Sequence, residues 1–445
     1  MHPCRTRIAA VFAVLASVSV TPARAGTLSA GDIFRQFNAV VFGNFSSTSD
    51  VEGRTVAGGN VTAGATFDLN PAGAAASSYS ALTVYGGVTS GGNLNIDNGG
   101  SVTIAGSNNA SFNLNGGGSA YIGGTNSGNL TTSNAPASVT VVGANSGNLQ
   151  LNSGGSVYVG GTTGGIGTGG TTAVSIAGNS SANLNLNGGG TVALAGSNYG
   201  TISLSGGSVS YTGSKGNMNL NGGATATRVS SLNLTPPAST LGSFASVFQT
   251  PLTELSNQLD GMTANSTLST SNGTIAFNAA PNTSGVAVFD MKTSGFTPNS
   301  TVTINLDGAT TVIINVSVDS CVQSNCSFAM PNSLNFNNPT GYAATVLWNF
   351  VNATNLTFSN EFGGSVLAPL AAVTNNGPID GTLVAASYSG NGELHSHPFT
   401  GTFPTTTTSP ALTSSSAVPV PEPASLAVIG SGLAGLAALR RRRRG

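Results

Sequence analysis

A glycine recurs at a nearly fixed interval through the middle of this 445-residue chain, and that interval constrains the fold more than any other feature. Gly106, Gly124, Gly143, Gly161, Gly178, Gly196 and Gly213 each close a strand-like segment, with gaps of 17 to 19 residues. A unit this short cannot bury a core alone and must stack on its neighbours, so the period predicts a solenoid. Each unit holds two segments of period 2. One reads Leu94-Asn95-Ile96, Phe112-Asn113-Leu114, Leu149-Gln150-Leu151, Leu184-Asn185-Leu186, Ile202-Ser203-Leu204, Met218-Asn219-Leu220 and Leu232-Asn233-Leu234. The other reads Val102-Thr103-Ile104, Ala120-Tyr121-Ile122, Val139-Thr140-Val141, Val157-Tyr158-Val159, Val174-Ser175-Ile176, Val192-Ala193-Leu194 and Val209-Ser210-Tyr211. Alternate side chains leave a strand on opposite faces, so the apolar members fill the axis and the polar ones face outward. The expected fold is mainly β: a parallel β-helix over residues 84–234, with about 18 residues per rung. The runs Asn98-Gly99-Gly100, Asn115-Gly116-Gly117, Asn187-Gly188-Gly189 and Asn221-Gly222-Gly223 read as turn ladders, because Asn tolerates the left-handed region.

Only 6% of residues are charged, against about 25% in an average soluble domain. A stacked repeat explains this, since an equivalent charge in every rung would repel its copies. Without residues 1–25 and 418–445, five basic residues face thirteen acidic ones, a net charge of −8. A phosphate backbone would be repelled, so no nucleic-acid partner is expected. Gly165-x-Gly167-x-x-Gly170 matches a dinucleotide fingerprint by letter only, with no helix to follow it.

Both ends carry addresses. Residues 1–25 have a basic start, an apolar run from Ile8 to Val20, and Ala23-Arg24-Ala25, so a signal peptide cleaved after Ala25 is expected. The mature chain then keeps Cys321 and Cys326, whose spacing in a secreted protein favours a disulfide over a metal site. A Ser/Thr/Pro linker spans 404–417. After it come Pro421-Glu422-Pro423, an apolar stretch over 424–439 and the cluster Arg440, Arg441, Arg442, Arg443 and Arg444. With snorkelling arginines that stretch is long enough for a membrane helix, its charged end cytoplasmic. These three elements, within 418–445, resemble the PEP-CTERM sorting signal of Gram-negative bacteria. The resemblance implies an exosortase-type processing enzyme as a partner, transient inner-membrane anchoring, and a link to extracellular polysaccharide.

Flanking the rungs, residues 31–83 are expected to form an N-terminal cap. Leu241, Phe244, Val247, Phe248, Leu252, Leu255 and Leu259 recur at helical spacing. They predict one long amphipathic helix over 240–262, bent at Pro251 and packed along the solenoid. Residues 270–403 return to strand patterns, as in Thr311-Val312-Ile313-Ile314-Asn315-Val316. The opening blocks Phe37-Asn38-Ala39-Val40-Val41-Phe42-Gly43-Asn44-Phe45, Asp50-Val51-Glu52-Gly53-Arg54 and Ala57-Gly58-Gly59-Asn60-Val61 carry a second resemblance. With them go the closing blocks Leu347-Trp348-Asn349-Phe350, Phe362-Gly363-Gly364-Ser365-Val366, Ile379-Asp380-Gly381 and Glu393-Leu394-His395-Ser396-His397-Pro398-Phe399. Together these blocks are similar to the choice-of-anchor A family of bacterial surface proteins, over about 32–403. That implies a single β-helix-like domain over 26–403 and a surface location, and no established reaction. The same blocks more loosely resemble ice-binding β-helix domains.

For chemistry the sequence is sparse. No nucleophile elbow, Walker lysine or zinc-ligand spacing occurs, so no catalytic residue, metal or cofactor is expected. His395 and His397 read as surface residues, or as two ligands of a site short of a third. Asp50, Glu52 and Arg54 share a strand face and read as a capping salt-bridge cluster, or as carboxylates of a polysaccharide lyase or hydrolase that Asp380 and Glu361 could join. Tyr121 and Tyr158 fall two rungs apart on one face, about 10 Å at the spacing of stacked strands. They read as surface cover, or as a stacking platform for a glycan, with the column Asn95, Asn113, Gln150 and Asn185 supplying amides. The outward column Thr103, Tyr121, Thr140, Tyr158, Ser175, Ala193, Ser210 lacks the regular threonines of a flat ice-binding face. The expectation is a secreted, exosortase-sorted surface or extracellular-matrix protein, non-enzymatic, acting in adhesion or with exopolysaccharide. A polysaccharide-active enzyme and an ice-binding-like adhesin stand as alternatives.

Overall fold

The computed structural model describes residues 28–403 apart from Gly91. The signal peptide with Ala25, the 404–417 linker, the 424–439 segment and the sorting residues Pro421, Glu422, Pro423 and Arg440 to Arg444 lie outside the described residues.

The rungs stack as three walls around a mainly apolar axis. The second segments of the repeat form wall one, from Leu82–Val84 through Val102–Ile104 to Thr225–Arg228, every pairing parallel and in register. The first segments form wall two, from Thr66–Phe67 and Asn93–Ile96 to Asn217–Asn221. Inward members such as Ile104, Ile122, Leu114, Leu151 and Leu186 are fully buried.

Wall three is a corner held by a few main-chain bonds per rung and by a side-chain ladder. Its rungs touch through single parallel bridges at Asn108, Asn126, Asn145, Thr163, Ser180 and Asn198. Asn108 Nδ2 donates to Asn126 Oδ1 at 2.7 Å, and Asn126 Nδ2 to Asn145 Oδ1 at 2.6 Å. Each of these three amides also donates to the carbonyl two residues on, at Ala110, Gly128 and Gly147. The chain passes so close to the rung below that a Cβ on Gly128 would lie 1.7 Å from the Ala110 carbonyl oxygen. Of the four Asn-Gly-Gly turns, only Asn98 is itself left-handed, at φ 53°. In the others Gly116 and Gly117, Gly189, and Gly222 and Gly223 take the positive φ, which glycine does without a Cβ clash.

The stack does not follow sequence order. Ala39–Val41 pairs with Thr55–Ala57 on one side and with Leu383–Ala385 on the other. Wall one therefore continues through Leu383–Gly390, Ser365–Asn375, Val346–Phe350 and Thr311–Ser317 to Val286–Lys292. The first rung in sequence has no predecessor to satisfy its edge, and the last rung supplies it. Residues 31–83 are thus no cap: after a short helix, Ala30–Gln36, with a Ser29/Asp32 capping box, they form the middle of the stack. The antiparallel hairpin of Thr267–Ser271 and Thr274–Asn278 closes the wall-two side of one end. At the other end Met218 and Leu220 stay half-buried.

Leu232-Asn233-Leu234 is not a rung. After Arg228 the chain turns back as an extended strap along wall one. Val229 N donates to Tyr211 O, the Leu234 carbonyl accepts from Tyr158, and Leu241 borders one small cavity with Thr83 and Thr103. The strap leads into a helix shorter than the spacing predicts, a π-helical turn Ala245–Gln249 followed by Thr250–Asp260. Pro251 has no N–H to give and crowds the preceding turn, which opens to the wider π geometry. Val247, Phe248, Leu252, Leu255 and Leu259 bury against Val40, Val56, Val288, Ile313, Leu347, Leu367 and Val384. Hence wall one turns apolar outward wherever the helix covers it.

Candidate functional site

Tyr121 and Tyr158 do share one outward column, separated by Thr140. The strap changes what they can do. Tyr158 is 8% exposed, and its hydroxyl lies 3.4 Å from the Leu234 carbonyl it donates to. Burial raises its phenol pKa. Tyr121 is half-buried. The pair therefore forms no open platform. Asn95, Asn113, Gln150 and Asn185 lie on wall two, not beside the tyrosines. Asn113 Nδ2 donates to Asn95 Oδ1 at 3.0 Å, and Gln150 to Asn152. Amides and rings do not meet on one surface.

The ionisable groups gather instead where the last rung meets the first. Asp380 and His395 are register partners on the short parallel strands Ile379–Asp380 and Leu394–His395. His395 Nδ1 lies 2.6 Å from Asp380 Oδ1, and its Nε2 lies 3.0 Å from Glu393 Oε2. His397 Nε2 stands 4.0 Å from the same Asp380 oxygen. The Asp380 hydrogen bond, opposed by burial and aided by Glu393, raises the His395 pKa to about 9. Burial, and then the Asp380 carboxylate beside it, raises that of Glu361. Asp380 itself is fully buried, and its Oδ2 has no hydrogen-bond partner among the described residues. Burial and both carboxylates push the Tyr342 phenol up.

Asp50, Glu52 and Arg54 are not a salt-bridge cluster; among the described residues no ion pair joins them. Asp50 Oδ1 accepts from Thr66 N and Glu52 Oε2 from Ser396 N, while Arg54 donates to the Gln36 and Ala75 carbonyls. They tie main chain to main chain at the seam, because unpaired backbone groups there need partners. Glu52, His395 and His397 line an open cleft of about 530 Å³. Among the described residues no set of three or more His, Cys, Asp or Glu side chains stands in metal-ligating geometry. Cys321 and Cys326 are joined in a disulfide on a small hairpin away from the seam.

The pairing of Glu393 with His395 escaped the sequence reading, although the two alternate along the chain. The register of Asp380 with His395 was hidden, since these rungs lie outside the regular period.

The ice-binding-like adhesive domain family matches residues 30–146 and 144–396. The PEP-CTERM protein-sorting motif matches residues 419–443. No curated protein matches. Among solved structures, the ice binding protein from an Antarctic bacterium, Flavobacteriaceae, is 13% identical over 85% of this chain and 100% of its own, with a TM-score of 0.22. The tapirin C-terminal domain of Caldicellulosiruptor kristjanssonii is 11% identical over 81% of this chain and 94% of its own, with a TM-score of 0.18. At such scores the fold rests on the strand ladders themselves.

Proposed function

We propose that this chain, which belongs to the ice-binding-like adhesive domain family, is a non-enzymatic adhesin of the extracellular matrix that holds a surface through its uncovered walls. Its coarse role, a secreted adhesin-like surface protein with an exosortase-read sorting motif, follows from the two matches. The observation that carries the finer reading is the contrast between walls. Helix and strap cover wall one, whereas the strands of wall two from Asn93–Ile96 to Asn217–Asn221 present amides and hydroxyls and contain no charged residue. A long, neutral, hydrogen-bonding surface suits adhesion to hydroxylated material such as exopolysaccharide. The enzyme alternative is weaker, because Asp50 and Glu52 are engaged by main-chain donors and a glycosidase needs two carboxylates free to act.

Delivery is proposed to run through processing near Pro421-Glu422-Pro423 after transient anchoring of 424–439 in the inner membrane, with Arg440 to Arg444 held inside. The choice-of-anchor A resemblance belongs to the same proposal, since its opening and closing blocks are the rungs that pair at the seam. Cells expressing a chain without residues 418–445 are expected to lose surface-exposed protein and matrix retention. Unchanged display would overturn the sorting half. Release of product from any neutral or acidic polysaccharide by the purified protein would overturn the non-enzymatic half. The family's description favours a second reading, in which the adhered surface is ice. The irregular column that argues against it lies on the wall the strap covers. Thermal hysteresis of the purified protein decides it.

A further inference from the structure

We infer that wall three carries a groove for a single neutral polysaccharide chain, a site distinct from both the tyrosine column and the seam. The inference deepens the adhesive reading and rests on it.

A groove of about 580 Å³ crosses successive rungs here, lined by Thr125, Ser127, Ser146, Thr162 and Ser181, with Gly164 and Gly165 among its floor residues. Main-chain bonds fix the alignment. The nitrogens of Ser127, Ser146, Gly164, Ser181 and Tyr199 donate in turn to the carbonyls of Asn108, Asn126, Asn145, Thr163 and Ser180. One outward column thus reads Ser, Ser, Gly, Ser, Tyr, with the glycine opening its centre. The column ends on Tyr199, which is 70% exposed, whereas Tyr158 on wall one is sealed. From Ser127 to Tyr199 the rise is about 19 Å at one rung per strand spacing, room for several sugar rings in a row.

The chemistry of the lining selects the ligand class. Its hydroxyls and main-chain groups offer hydrogen bonds, and Tyr199, one rung past the lining, offers an exposed phenol ring to sugar C–H groups. None of the lining residues is charged, and the net charge of −8 over residues 26–417 disfavours acidic polymers. Beneath the groove the buried Asn126 and Asn145 are spent on the ladder and on the Gly128 and Gly147 carbonyls, so the floor is rigid before any ligand arrives. A flat lattice would touch only the rims of such a groove. A single chain can lie in it.

The test uses the mature chain from Gly26 and the variants Tyr199→Ala and Ser146→Trp, both altering exposed side chains outside the core. Binding to dextran, galactomannan, xylan and β-1,3-glucan is measured by affinity electrophoresis, with polygalacturonate as the charged comparator and Tyr121→Ala as control. The wild type is expected to bind at least one neutral polymer and not polygalacturonate. Each groove variant should weaken that binding about tenfold, the loss of one stacked ring or the blocking of the trough. Melting temperatures should not change, and Tyr121→Ala should bind normally. Neutral-polymer binding that survives in both variants overturns the groove and leaves the adhesive reading standing. A wild type that binds none of these polymers, or only polygalacturonate, overturns both.

Discussion

A buried amide ladder ties each side chain to several polar groups at once, so a truncation there leaves several of them unpaired. Asn126→Ala would strand the Gly128 carbonyl and the Asn145 Oδ1 and remove an acceptor from Asn108. Leaving buried polar groups unpaired costs about 1–3 kcal/mol each, so a loss of about 3 kcal/mol is expected in urea denaturation. His395 gives a pH-dependent counterpart. Its folded pKa lies above its ordinary 6.5, at about 9. The seam stabilisation it provides is therefore complete below pH 6.5 and declines as pH rises through 9. The difference in melting temperature between wild type and His395→Gln should shrink over that window; a difference that stays level would refute the assignment. The ladder has a signal in the sequence. Asn108, Asn126, Asn145, Thr163, Ser180 and Asn198 each follow a period-marking glycine by two residues, but the column mixes Asn, Thr and Ser and so lacks the plain repetition of the four Asn-Gly-Gly runs. The sequence lets Asp380 and Glu361 join Glu52 at the seam but does not bring His395 to them, because Asp380 and His395 pair at a separation of 15 residues, outside the central period.

At the scale of elements, the strap and helix close wall one as one piece. Phe248 is fully buried and meets Phe37, Tyr79 and Phe244 at ring-centroid distances of 5.4, 5.1 and 5.7 Å. Farther along, Ser256 Oγ donates to Asn349 Oδ1 at 2.6 Å, and Asn315 Nδ2 to the Leu259 carbonyl. Phe248→Ala should cost about 3–5 kcal/mol, in line with other buried aromatic truncations. Because the strap has few ties of its own, it should become cleavable first: limited proteolysis is expected to cut within 229–243 while the rungs stay resistant. Cleavage that begins in the rungs would contradict this. The helix was legible from its apolar stripe, and its early start at 240 was over-read because Leu241 is apolar without being helical. The triad Leu232-Asn233-Leu234 misled for a related reason. Alternation reports that a segment is extended and two-faced, but pairing also needs a turn that returns it to the stack, and Pro236-Pro237 directs the chain elsewhere.

For the whole molecule the consequence of the interleaved order is cooperativity. A simple solenoid folds as a sum of repeats and their nearest-neighbour contacts, so fragments of several rungs survive alone. Here Ala39–Val41 is paired with a strand more than 340 residues later, and Phe34 packs on Phe399 and Phe403 at 6.1 and 5.7 Å. The outward Val40 and Val56 depend on the helix that follows the last regular rung. The central period made the rungs legible, but nothing in it could reveal that the final rungs precede the first in space, since that order is set by which open edge finds which. Two expectations follow from the same geometry. Heating the full chain should give a single calorimetric transition whose enthalpy equals the van't Hoff value. A chain ending at Pro236 keeps every regular rung yet exposes a strand edge and an apolar wall, so it should aggregate rather than fold. A soluble, cooperatively melting fragment of that length would mean that the regular rungs stand alone and that the seam merely adds to them.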